Sequence, residues 1–282
     1  MNQCIFTRIC LYLPLFCLLL FVHPAHALGA REHFKSGDYF NYDIYWSFLK
    51  VGSAKLEISH ANSDADSEAL YNIRFSIQSN ALINKIYPVE SIITSSLLIE
   101  EMKPLLYTKK QNEGEEKRDI QIQFNWDRSQ SITLENGLET NIHRLEPSTL
   151  DPLSLILAIC NYDFKNRSSK LVQKVTDGGS IVPIEADYRN TKLVHTKVGI
   201  FESNKIEVTT KQLKGVFNKS PNSELFLYLS QDDPAILLKL ESKVIIGSFN
   251  AVLSDGVYKG TAIDKPILKP NPKRKWIRGR FR

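Results

Sequence analysis

Cysteine is scarce in this 282-residue chain: of four, Cys4, Cys10 and Cys17 fall in the first 27 residues and only Cys160 lies beyond them. With a single thiol left, no intramolecular disulfide can form there, so the fold has to be held by its core. Histidine is scarce as well, with His33, His60, His143 and His195 far apart beyond residue 27. No His/Cys spacing of a metal site is present, and these histidines read as ordinary surface or strand-face residues. The chain also lacks a nucleophile elbow, a zincin motif, a phosphate loop and a dinucleotide fingerprint. No cofactor is expected. The glutamates of QNEGEEKRD (Glu113, Glu115, Glu116) and the pair Asp232-Asp233 before Pro234 sit in polar turns. A carboxylate doing acid–base work needs an apolar pocket that such turns do not provide.

Long apolar runs are confined to the N-terminus, where Arg8 precedes an almost wholly apolar stretch over residues 9–22 and Ala25-His26-Ala27 forms a small-x-small site. That is the pattern of a secretory signal peptide, and it predicts cleavage after Ala27 and a periplasmic product starting at Leu28. Leu15 and Phe16 are too bulky before Cys17 for a lipoprotein signal, so a lipid anchor is not expected. The remaining chain is long enough to bury most of its surface without staples.

Charge is unevenly spread. The chain's +5 hides a body, residues 28–264, with 27 Lys and Arg against 31 Asp and Glu, and a tail, residues 265–282, with eight basic residues and no acid. The body is therefore net −4. The tail carries three prolines and neither period, which predicts an extended, disordered segment. Its Lys273, Arg274, Lys275, Arg278, Arg280 and Arg282, interleaved with Trp276, suit an anionic membrane surface. Each cation near such a surface contributes about 1 kcal/mol. Export removes nucleic acid as a partner.

What the chain has in quantity is alternation. Phe40, Tyr42, Ile44, Trp46 and Phe48 alternate with mostly polar residues, and Ala54, Leu56 and Ile58 continue after a turn over residues 47–52. Tyr71, Ile73, Phe75 and Ile77, then Ile120, Ile122, Phe124 and Trp126, repeat the pattern, with a solvated loop expected over residues 62–68. Asn136-Gly137 is a type I′ hairpin signal. Asp177-Gly178-Gly179 joins strands at 171–176 and 180–185, and a strand at 193–201 precedes one at 205–210 across Glu202-Ser203-Asn204. Residues 224–229, 235–246 and 248–253 close the series. Roughly a dozen strands with short turns point to antiparallel meanders in one domain.

One stretch breaks the alternation. Residues 150–162, LDPLSLILAICNY, read as a helix with Asp151 as N-cap and Pro152 at the first helical position. Its apolar side chains point nearly all round, so it must be buried, and it is far short of the roughly 20 residues that span a bilayer. Cys160 reads as a small buried hydrophobe on it. The fold expected is all-β and mainly antiparallel, a large curved sheet or incomplete β-barrel holding one short buried helix.

Several of these segments resemble a known family. Tyr42-Asp43-Ile44-Tyr45-Trp46, Val51-Gly52-Ser53-Ala54, the Asp151-Pro152-Leu153-Ser154 helix start, Leu229-Ser230-Gln231-Asp232-Asp233 and Gly247-Ser248 are similar to the bacterial exported family known as domain of unknown function 3108, over residues 38–254. The resemblance implies an antiparallel β architecture in the cell envelope and no established enzyme activity. It supplies no catalytic residues.

Function follows from the expected shape. A sheet curled round a short helix can leave an apolar groove, as in periplasmic carriers of acyl chains, which predicts a noncatalytic protein binding a lipid or other apolar ligand through Tyr42, Trp46, Phe48, Leu153 and Leu157. The alternative is a scaffold of envelope assembly that meets envelope proteins through edge strands or the tail. An enzyme acting on cell-wall polymer would instead show a polar cleft with converging carboxylates.

Overall fold

The computed structural model describes residues 34–61, 70–98, 100–165, 168–209, 224–231, 235–243 and 248–263. The expected loop at 62–68, the Asp232-Asp233 turn and the whole tail lie outside them. Alternating sequences form the strands. They are β1 (Tyr39–Trp46), β2 (Leu49–Ala61), β3 (Leu70–Ser79), β4 (Glu90–Leu98), β5 (Lys103–Glu113), β6 (Glu116–Asn125), β7 (Gln130–Glu135) and β8 (Leu138–Arg144). After helix α1 (Pro152–Cys160) come β9 (Lys170–Val175), β10 (Val182–Thr196), β11 (Gly199–Val208), β12 (Glu224–Ser230), β13 (Leu237–Lys243), β14 (Ser248–Tyr258) and the short β15 (Thr261–Ala262).

All pair in one antiparallel sheet in the order β8-β7-β6-β5-β4-β3-β2-β1-β14-β13-β12-β11-β10-β9, with β15 on β14. Every neighbour but one is a sequence neighbour; the exception, β1 with β14, joins the two ends of the chain into the middle of the sheet. The outermost strands, β8 and β9, share no ladder, so the sheet is an open, barrel-like curve. Across the seam Asn141 Nδ2 donates to Gly178 O (3.1 Å), and Leu150 bridges β9 by N–H to Lys174 O (2.8 Å) and by accepting from Thr176 N (3.0 Å).

The helix fills part of the curve. Asp151 caps it, Oδ1 accepting from Leu153 N (2.8 Å) and Ser154 N (3.0 Å), while Ser154 Oγ accepts from Asp151 N (2.9 Å). Of its nine residues only Ile156 is less than fully buried. Ser95 Oγ of β4 donates to Asp151 Oδ2 (2.6 Å), and Ala235 N donates to Cys160 O (3.3 Å). Both ends are thus tied to the wall. Phe34 closes the barrel beside the start of β1, its ring edge-on to Phe40 at 6.1 Å and its carbonyl accepting from Tyr71 Oη at 3.2 Å.

One strand expectation is corrected. Residues 193–201 hold a hairpin tip, with β10 ending at Thr196 and β11 starting at Gly199, whose φ of +143° suits glycine. Glu202-Ser203-Asn204 lies within β11, where buried Ser203 Oγ donates to Lys192 O (2.8 Å). Its polarity is satisfied by the neighbouring strand and not by water. Gly52, expected in the first turn, lies inside β2 opposite Ser79, because the turn is only Ser47-Phe48.

Candidate functional site

The five residues expected to line one groove do not meet. Tyr42, Leu153 and Leu157 belong to the packed core, and Tyr42, only 3% exposed, donates from Oη to Leu237 O (3.0 Å). Burial, and secondarily the nearby Cys160 thiol, pushes the Tyr42 phenol well above its ordinary pKa, and burial pushes Cys160 up to about 12. Neither group ionises near neutral pH, and Cys160 is no nucleophile. Trp46 and Phe48 lie outside that core. Trp46 shares the face of Phe40 and Tyr42, but the packed interior stops below it, and Phe48 in the turn is 94% exposed.

Inside the barrel the apolar lining also runs out. Along β5 the inward positions pass from Tyr107 to Lys109, flanked by Ile93 and Ile120, and then to Gln111, with buried Ser91 on neighbouring β4. Ser91 Oγ accepts from Asn112 N (3.3 Å). An acyl chain gains nothing from burial against such groups. On the outer face of β1–β4 lies a cleft of about 490 Å³ whose lining includes Asn41, Asp43, Lys55, Arg74, Gln78 and Glu90. Two of its carboxylates are engaged: Asp43 pairs with Lys50 (2.6 Å) and Lys197, and Asp255 accepts from Asn41 Nδ2 (2.8 Å). Burial would raise the Asp43 carboxyl, but the two lysines outweigh it and hold it below the ordinary value. A group held ionised has no proton to donate as a general acid. Among the described residues no group of three His, Cys, Asp or Glu could hold a metal ion.

Apolar side chains are instead displayed at one end of the barrel. Antiparallel pairing puts the β1–β2 turn, the β3–β4 connection and the β5–β6 turn at that end, with Phe249 opposite Trp46. Asn80 clamps the first two together, its N and Nδ2 donating to Val51 O (2.9 Å) and Lys50 O (2.6 Å) while its Oδ1 accepts from Leu82 N and Ile83 N. Gly114 N donates to Pro88 O (2.7 Å), holding the third turn beside Tyr87. Phe48, Leu49, Leu82, Ile86 and Tyr87 are exposed there, and Trp46 stacks on Phe249 with ring centroids 6.5 Å apart. Of these, only Trp46 and Phe48 were singled out from sequence. The signal for Leu82, Ile86 and Tyr87 was available in NALINKIYP, where Leu82 and Ile86 break the strand period in a segment bounded by Asn80 and Pro88. The basic residues Lys273, Arg274, Lys275, Arg278, Arg280 and Arg282, with Trp276, lie outside the described residues.

Over residues 41–254 the sequence matches the family described as a protein of unknown function, DUF3108. The chain belongs to that family. No curated protein matches this DUF3108 chain. Among solved structures, a β-barrel-like protein of domain of unknown function DUF1849 from Brucella abortus superposes with a TM-score of 0.54 at 11% identity, covering 80% of this chain and 99% of that one. A Bacteroides fragilis protein described as a candidate exported protein with a YmcC-like fold gives 0.36 at 8% identity, covering 80% and 99%. The Brucella likeness bears on fold alone, and agrees with the open barrel of the DUF3108 chain.

Proposed function

We propose that this DUF3108 protein is a noncatalytic periplasmic protein of the cell envelope that binds a lipid or another apolar ligand, at the turn end of its barrel and not in its interior. The observation that carries the reading is the apolar display on the clamped β1–β2 turn and β3–β4 connection, with Phe48, Leu82 and Ile86 largely in solvent. Monomeric proteins rarely expose apolar side chains side by side without a use for them. The signal-peptide pattern of residues 1–27 supports the compartment. The test is native mass spectrometry of the exported protein purified from a periplasm without detergent, followed by lipid extraction. A stoichiometric lipid is expected in the wild type and absent from F48D/I86D; a protein that stays apo after incubation with envelope lipids and also ignores their vesicles overturns the reading.

A second reading, a partner-binding scaffold, is favoured by a different observation. Edge strand β8 is exposed at nearly every position, Leu138 and Ile142 included. Such an edge can accept a strand from another envelope protein. Crosslinking from β8 that captures one envelope protein stoichiometrically, with no lipid bound, would select it.

A further inference from the structure

The apolar end has an order to it. Its fully displayed side chains, Phe48 at 94%, Ile86 at 84% and Leu82 at 73%, sit in the two connections, whereas the amphipathic rings at their base, Trp46 and Tyr87, are only about half exposed (43% and 48%). The most exposed groups being aliphatic and phenyl, with indole and phenol less exposed beside them, suits a membrane interface, where Trp and Tyr rest at headgroup level. A flat patch made for a protein partner needs no such grading.

Local charge decides what kind of surface it fits. Lys85 lies on the β3–β4 connection itself and Lys50 behind the β1–β2 turn, where it is paired with Asp43. Glu113, Glu115 and Glu116 flank the neighbouring turn, which Gly114 holds against Tyr87, and Glu90 follows the connection. Among the described residues no excess of cations surrounds the apolar tips, which favours binding of apolar origin over attraction to anionic headgroups.

Resting on the lipid-binding reading above, we infer that Phe48, Leu82 and Ile86 insert into the surface of a phospholipid bilayer, with Trp46 and Tyr87 at headgroup depth, so that the lipid partner is an intact leaflet and the attachment is apolar in origin. The barrel then stands end-on to the membrane, with the interior helix in the opposite half. Insertion through apolar side chains survives salt, whereas attachment through the basic tail is screened by it.

The test is flotation of the exported full-length protein with vesicles of phosphatidylethanolamine and phosphatidylcholine, and with vesicles enriched in phosphatidylglycerol, at low and high salt. Wild type is expected to float with both compositions at both salt levels, and F48D/I86D to bind more than about tenfold more weakly. Thermal melting monitors folding of the variants, and L82S/F48S provides an independent pair should the first be unstable. Failure of the wild type to bind, equal binding by folded variants, or binding confined to anionic vesicles and abolished by salt would overturn the inference. A lipid retained in native mass spectrometry from a protein that ignores vesicles removes the inference alone; an apo protein that ignores vesicles removes both.

Discussion

Asp43 and Asp151 are both almost sealed from solvent, yet they titrate in opposite directions. Burial raises the Asp151 carboxyl, and the hydrogen bonds from Ser95, Ser154 and Leu153 only partly offset it. A raised folded pKa means that its contribution to stability is complete below the unfolded value, about 3.9, and is lost as pH rises through the folded one. An amide keeps an acceptor for the cap and carries no charge to desolvate. D151N should therefore match or exceed wild-type stability at pH 7, whereas D151A, which removes the cap and leaves Ser95 Oγ unpaired, should lose about 1–2 kcal/mol or more in urea unfolding. For Asp43 burial is outweighed by Lys197 and Lys50, and the folded pKa is lowered. Its contribution is complete above the unfolded value and disappears as pH falls through the folded one. D43N should accordingly be less stable than wild type at neutral pH, and the gap should close below about pH 4. Equal stability of D43N and wild type at pH 7 would show that the Lys50–Asp43–Lys197 link adds nothing.

Two glycines in turns and strands separate local from tertiary need. Asn136 and Gly137 take φ of +53° and +81° in the β7–β8 turn, and a Cβ on Gly137 would meet nothing within 4 Å. Gly52 needs no unusual φ, but a Cβ there would lie 2.3 Å from the backbone oxygen of Gln78. Strand β3 crosses too closely for any side chain. G137A should cost about 1 kcal/mol, by the strain of positive φ, whereas G52A should cost more than about 3 kcal/mol or prevent folding, because a backbone carbonyl cannot step aside. Comparable melting temperatures for the two variants would contradict this account. The Asn136-Gly137 turn was legible from two residues. The reason for Gly52 was not, since the clash is with an atom 26 positions away in the chain.

At the scale of the molecule the sheet is least secure where it fails to close. β8 pairs only with β7 in the ladder, and the described links across the seam are the Asn141–Gly178 bond and the Leu150 bridge to β9. β1 to β5, each paired on both sides, form the middle. Hydrogen exchange should therefore show β8 amides protected far less than those of β2–β4, by a factor of ten or more if the local difference exceeds about 1.4 kcal/mol. Uniform protection across the sheet would mean that β8 has a partner in solution, which is what the scaffold reading requires.

Composition and period were enough for the exported pattern, the antiparallel β class and the buried capped helix, while the family rested on the resemblance of a few short segments. Those properties are local: a two-residue period, a capping Asp-Pro and an all-round apolar nonamer carry their meaning wherever the segment ends up. The same alternation that marked Phe40, Tyr42 and Trp46 as one face could not say how far up that face the core extends. The interior stops between Tyr42 and Trp46 because the helix, fixed by Asp151 to β4, fills only part of the curve, and the β5 wall above it turns polar at Lys109. Which apolar residues are core and which are display depends on packing between segments distant in sequence, so only the tertiary structure decided it.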